Sequence, residues 1–146
     1  LRNSKSTRPW QYVLEPLSGY LLLGEKLLKG LGDYSTGWNF GPPLEETHTV
    51  LKVAEAIIRY WGEGVIQINN EQNKFHESTL LKLDCTKART LLDWIPTLGF
   101  EECIKFTTEW YKYSFKNDNT DVYSFSIDQI KQYQSRAIEK KCSWTF

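Results

Sequence analysis

Five stretches of this sequence repeat apolar residues at the spacing of a single helix face, and most of the runs between them are broken by glycine or proline. In Thr49–Trp61 the residues Val50, Val53, Ala54, Ile57, Ile58 and Trp61 share one face, and Gly-Glu-Gly follows. Glu15–Lys29 carries Leu17, Tyr20, Leu21, Leu23, Leu27 and Leu28 in the same way. Its Pro16 falls in the first turn, where no amide donor is needed, and Gly30 and Gly32 end it. A third helix, Cys85–Leu92, starts from Asp84 as N-cap and is stopped by Trp94 and Pro96. Phe100–Phe115 places Phe100, Cys103, Ile104, Thr107, Trp110 and Tyr111 together. Ser126 and Gln129 have the spacing of a capping box for a last helix to about Glu139, after which "KKCSWTF" is expected to be loose.

Between these helices lie three short runs with strand character, Trp38–Phe40, Val65–Asn69 and "LLKLD", Leu80–Asp84. Helices alternating with short strands give an α/β pattern, mostly helical. So few strands do not complete a doubly wound sheet. The chain also begins with Leu1 and contains no methionine, which leads to the expectation of a fragment whose natural start lies upstream.

Composition removes several classes of function. Eighteen basic and eighteen acidic residues cancel and no basic run occurs, so a nucleic-acid footprint is missing. Apolar runs fall far short of the roughly 20 residues of a membrane span, and the N-terminus lacks the apolar core of a signal peptide. Cys85, Cys103 and Cys142 are widely spaced and form no C-x-x-C pair. Neither histidine stands in metal-ligand spacing with them, so reduced thiols in a cytoplasmic protein and no metal site are expected. With 40% apolar residues, the 146-residue chain is long enough for one core.

Catalytic motifs are absent. Gly30 and Gly32, and Gly62 and Gly64, do not complete a G-x-G-x-x-G loop, and no phosphate-loop lysine or G-x-S-x-G elbow occurs. None of the eight tyrosines has a lysine four residues on. The remaining candidates are binding groups. An arginine fork suits a diphosphate, and an aromatic beside it can wall a pocket, so Arg8 with Trp10 reads either as such a site or as a surface arginine beside a core tryptophan. In "KFHE", Glu77 has the chemistry to accept ribose hydroxyls and Lys74 or His76 to meet a phosphate, while the same run also reads as a solvated loop. Asn39 is polar in an aromatic run, and its amide is satisfied by backbone neighbours or by a ligand.

Four motifs in order, "RPWQYVLEPLSGYLLLGEKL", "WNFGP", "HESTLLKLDCTKARTLLDWIP" and "EWYKYS", together with the tail element "YSFSIDQIKQY", resemble the C-terminal part of the CDP-glucose 4,6-dehydratases. These form a nucleotide-sugar branch of the extended short-chain dehydrogenase/reductase family. The resemblance runs from about Arg2 to Tyr133, and the Arg-Pro-Trp-Gln form of its first motif points to the CDP-glucose branch. Tyr12 departs from the family, which has histidine there.

The resemblance implies a substrate-binding lobe over residues 1–133, most of the Rossmann core being missing, and a helix end with a loose tail over 134–146. It implies that Arg8 grips the substrate diphosphate, with Trp10 and Gln11 beside it, that Asn39 lies next to the nucleotide, and that His76 and Glu77 reach diphosphate and ribose. Lys74 lies near the place of a phosphate-binding arginine in relatives. The implied reaction is an NAD-dependent dehydration of CDP-glucose to CDP-4-dehydro-6-deoxyglucose. NAD and the catalytic groups would belong to an N-terminal Rossmann domain outside this chain, leaving the chain inactive alone and the full-length enzyme a homo-oligomer. A UDP- or dTDP-sugar enzyme, or a non-catalytic nucleotide-sugar binding module, are the alternatives.

Overall fold

A computed structural model describes residues 1–69, 80–116 and 121–145. Five helices carry the architecture: α1 (Leu14–Leu28), α2 (Val50–Trp61), α3 (Thr86–Leu91), α4 (Phe100–Lys116) and α5 (Val122–Glu139). Two-residue strands β1 (Thr7–Arg8) and β2 (His48–Thr49) pair antiparallel, with Thr7 opposite Thr49 and Arg8 opposite His48. The result is a mostly helical α/β chain.

Local chemistry explains the helix boundaries. Thr49 Oγ1 accepts the amide of Lys52 at 3.2 Å to start α2, and Gly62, at a φ of 101° that suits glycine, ends it. Lys112 of α4 then donates its ammonium to the carbonyls of Tyr60 and Trp61, at 3.3 and 2.5 Å, covering the negative end of α2. Asp84 does receive the first amide of α3, its Oδ1 accepting from Thr86 N at 2.9 Å. The residue flanking the helix is nevertheless Cys85, one place later than expected.

Three expectations are corrected. None of the three strand-like runs forms a strand among the described residues; only Leu80 makes an isolated parallel bridge, to Thr7. Alternating apolar residues favour extension, but a strand also needs a ladder partner. The last helix starts at Val122 rather than Ser126, because Asp121 accepts the amide of Ser124 and caps it. Ser126 and Gln129 therefore lie inside α5, where Ser126 accepts from Trp110 Nε1 at 2.9 Å. The tail is not loose either: Cys142 is wholly buried, Ser143–Thr145 form a single 3-10 turn, and the Trp144 ring stacks on Tyr133 at 5.7 Å.

Apolar packing joins these elements in three groups. Tyr12, Leu98, Cys103, Phe106 and Tyr133 bind the start of α1 to α4 and α5. Leu22, Phe40, Ala88, Leu92 and Trp94 close the space between α1 and α3. Val53 and Ala56 of α2 meet Phe100 and Ile104 of α4, with Trp10 against them. At Gly19 the fit is tight, since a Cβ there would lie 2.2 Å from the Phe40 ring. Alanine favours a helix by about 1 kcal/mol over glycine, yet overpacking costs about 1–3 kcal/mol. Gly19→Ala is therefore expected to destabilise the chain in urea titrations, and Phe40→Leu in the same chain to recover part of the loss.

All three cysteines are free and buried. Burial pushes each thiol up, that of Cys103 to about 12. The thiolate is the reactive form, so Cys85, Cys103 and Cys142 are expected to stay silent to Ellman's reagent until the chain is denatured. Rapid reaction of any one of them in the folded chain would contradict this burial.

Candidate functional site

The segment from β1 to α1 turns at Pro9, where Trp10 N donates to the carbonyl of Arg8 at 2.9 Å, and carries three of the expected binding residues. Arg8 lies half-buried on β1, opposite His48, and its Nη1 donates to the carbonyl of Thr7 at 2.7 Å. Trp10 donates its indole N–H to the carbonyl of His48 at 3.1 Å and packs against the α2–α4 contact, so its ring acts as a core group that anchors the strand. Gln11 donates from Nε2 to the carbonyl of Phe40 at 3.0 Å, and its Oε1 is buried with no partner. Tyr12, the departure from the family pattern, is a core residue: its hydroxyl donates to Gln129 Oε1 at 2.9 Å.

Asn39 is exposed rather than buried, and its Nδ2 donates to the carbonyl of Asp84 at 3.1 Å. A backbone neighbour thus satisfies one end of that amide. Together the Gln11 and Asn39 bonds and the Thr7–Leu80 bridge tie the start of the chain to the segments around Phe40 and Asp84. Lys74, His76 and Glu77 lie outside the described residues. The described residues flanking them return to the same place, Asn69 donating its amide to the carbonyl of Leu1 at 2.9 Å and Leu80 bridging Thr7.

A shallow cleft of about 10 Å³ opens beside Arg8, walled by Pro9, Pro42 and Pro43 and by Lys82, with Glu46 as its carboxylate. Two larger cavities, of about 610 and 550 Å³, are mainly apolar; neither includes Arg8, Asn39 or Lys82, while Gln11 lines the second. We place the candidate site at the smaller cleft because charge, not volume, selects a phosphate. On β2, opposite Arg8, the His48 imidazole is held below the usual value by burial chiefly and by the nearby Lys52, with its ring 3.8 Å from that of Phe100.

A second polar cluster, which motif reading did not single out, lies in the core. Glu15 is only 1% exposed, and its two carboxylate oxygens accept from the amides of Thr97 at 2.8 Å and Leu98 at 2.7 Å and from the Tyr133 hydroxyl at 3.1 Å. Ser18 Oγ completes it, accepting from Trp94 Nε1 at 3.0 Å. Burial raises the Glu15 carboxyl against the opposing pull of those hydrogen bonds. Within the sequence, the one signal was a carboxylate flanked by Leu14 and Pro16 on an otherwise apolar helix start.

Among the described residues, no group of three or more histidine, cysteine or carboxylate side chains stands together to hold a metal ion, and no helix is long and apolar enough to cross a membrane. Dinucleotide binding requires a glycine-rich turn between a strand of a parallel sheet and a helix. The only ladder among the described residues is antiparallel, and Gly30 and Gly62 follow helices instead of opening them. The described residues therefore do not fit NAD.

What these residues build is a mostly helical α/β chain with a charged cleft beside β1. In sequence, the chain is similar to a CDP-glucose 4,6-dehydratase from Salmonella typhimurium, with 37% identity over 135 residues. The match covers 92% of this chain and 37% of that protein, so the chain spans little more than a third of its curated relative. No family model matches.

Proposed function

We propose that this chain forms the nucleotide-sugar-binding lobe of a CDP-glucose 4,6-dehydratase. The observation that carries the reading is the 37% identity across nearly the whole chain, joined to the placement of Arg8 and Pro9 in a cleft with Lys82. Arg8 supplies the fork for the diphosphate. Trp10 and Gln11 hold the strand that presents it, Asn39 lies on the neighbouring segment, and His76 and Glu77 serve the diphosphate and ribose. NAD and the proton-transferring groups belong to a dinucleotide-binding domain outside these residues.

Two features support such a completing domain. The outer face of α1 exposes Leu17, Tyr20, Leu21 (77%) and Leu28 (91%) beside the carboxylate of Glu25, an apolar surface of the kind that marks an interaction site. Trp38–Phe40 has strand chemistry and no ladder partner among the described residues.

The test is turnover of CDP-, UDP- and dTDP-glucose by the full-length protein, with the upstream coding sequence read alongside. Selective conversion of CDP-glucose is expected. Selective turnover of another nucleotide-sugar would move the assignment to that branch. An upstream sequence lacking both a glycine-rich dinucleotide loop and a Tyr-x-x-x-Lys pair would remove the dehydratase reading altogether.

A further inference from the structure

The Arg8 cleft contains a second cation that the motifs did not single out. Leu80 bridges Thr7 in parallel, so the chain leaving that bridge runs alongside β1, and Lys82, two residues on, lines the same cleft as Arg8. Lys82 is exposed, and its ammonium donates to the carbonyl of Leu44 at 3.1 Å across the cleft wall. An ammonium has three donors, so that bond occupies only one of them.

Charge shows why this residue matters. Glu46 lines the cleft with Arg8, and those two alone would cancel. Among the described residues that line the cleft, Lys82 tips the balance to one net positive charge. A diphosphate carries its negative charge on two phosphoryl groups, and one guanidinium fork engages one of them well. The volume of about 10 Å³ means that the ligand lies across this cleft, where a flexible lysine stem reaches it, rather than inside it.

We propose that Lys82 is the second cation of the diphosphate site, an inference that rests on the reading of Arg8 as the diphosphate grip. Lys82 supplies a mobile point charge beside the fixed fork, and Glu46 limits how strongly a lone anion is held.

The test uses the full-length enzyme, with the KM for CDP-glucose and inhibition by inorganic pyrophosphate and by cytidine as readouts. Lys82→Gln should raise KM by about tenfold and weaken pyrophosphate inhibition in proportion, with kcat and cytidine inhibition unchanged. Lys82→Arg should restore most of the affinity, and Glu46→Gln should lower KM. If Lys82→Gln lowers the melting temperature and leaves both KM and pyrophosphate inhibition unchanged, Lys82 is a structural tie to Leu44 and the proposal falls. If Arg8→Ala raises KM and Lys82→Gln does not, the proposal falls while the reading of Arg8 stands. If neither variant changes KM, both fall together.

Discussion

Replacing Glu15 with glutamine is expected to destabilise the chain by about 2–4 kcal/mol, although the two side chains have nearly the same shape. Both carboxylate oxygens accept hydrogen bonds, Oε1 from Leu98 N and Oε2 from Thr97 N and the Tyr133 hydroxyl. An amide has only one oxygen, so its NH₂ would face a backbone N–H that cannot turn away. A buried donor left without an acceptor costs about 1–3 kcal/mol, and the lost charge assistance adds to it. Tyr133→Phe, which removes one donor and leaves the carboxylate on its two amides, should cost only about 1 kcal/mol. Urea titration measures both. Equal stability of wild type and Glu15→Gln would mean that the cluster contributes nothing to the fold.

The same residue sets a pH dependence of unusual sign. Because burial raises its carboxyl above the unfolded value, the folded chain disfavours ionised Glu15 relative to the unfolded chain. Its contribution is therefore fully present below the unfolded value of about 4.3 and declines as the pH rises through the folded value. The stability difference between wild type and Glu15→Gln should narrow as the pH rises from about 4. A difference that widens over that interval would show that the hydrogen bonds outweigh the burial.

Arg8→Ala is expected to have the largest functional effect. In the full-length enzyme, losing a charge-assisted pair to a phosphate costs about 1.5–3 kcal/mol, which corresponds to a rise of roughly 10- to 150-fold in the KM for CDP-glucose. The fold should barely respond. Arg8 is half-buried on a two-residue strand, and the anchoring of that segment comes from the Trp10 and Gln11 bonds to His48 and Phe40. Arg8→Lys keeps the charge without the fork and should recover part of the affinity. A marked fall in melting temperature with an unchanged KM would make Arg8 a structural residue.

Helices α2 and α4 were legible because burying one face imposes a spacing that survives in sequence. Val53 of α2, and Phe100 and Ile104 of α4, were read on the faces that meet in the core, whereas Ala56, which packs there too, was not. In α1, by contrast, the residues read together, Leu17, Tyr20, Leu21, Leu27 and Leu28, are exposed and Leu22 is the buried leucine. Strands were over-read for a physical reason: Trp38–Phe40 has the right side chains, but pairing depends on a partner elsewhere in space. Gln129 was misread because local spacing offered a cap, whereas its amide donates to Phe106 O at 2.8 Å and accepts from Tyr12 inside the core. Glu15 passed unnoticed because a carboxylate in a first helical turn is ordinarily a solvated group complementing the helix dipole. At the site, Arg8 and Gln11 stood out by motif. Lys82 did not, since only the bridge between Leu80 and Thr7 brings it to the cleft.

The hydrogen bonds that Tyr12 and Glu15 make to α5 also govern when this chain can finish folding. Tyr12 reaches Gln129 across 117 residues of chain and Glu15 reaches Tyr133 across 118. At a synthesis rate of about 5–20 residues per second, the acceptor and donor on α5 are made roughly 6–24 s after α1. During that interval the Glu15 carboxylate and the apolar start of α1 have emerged without the helix that covers them. The lobe is thus closed by its last helix, and a ribosome-bound chain arrested before Val122 would present α1 to chaperones as unfinished surface.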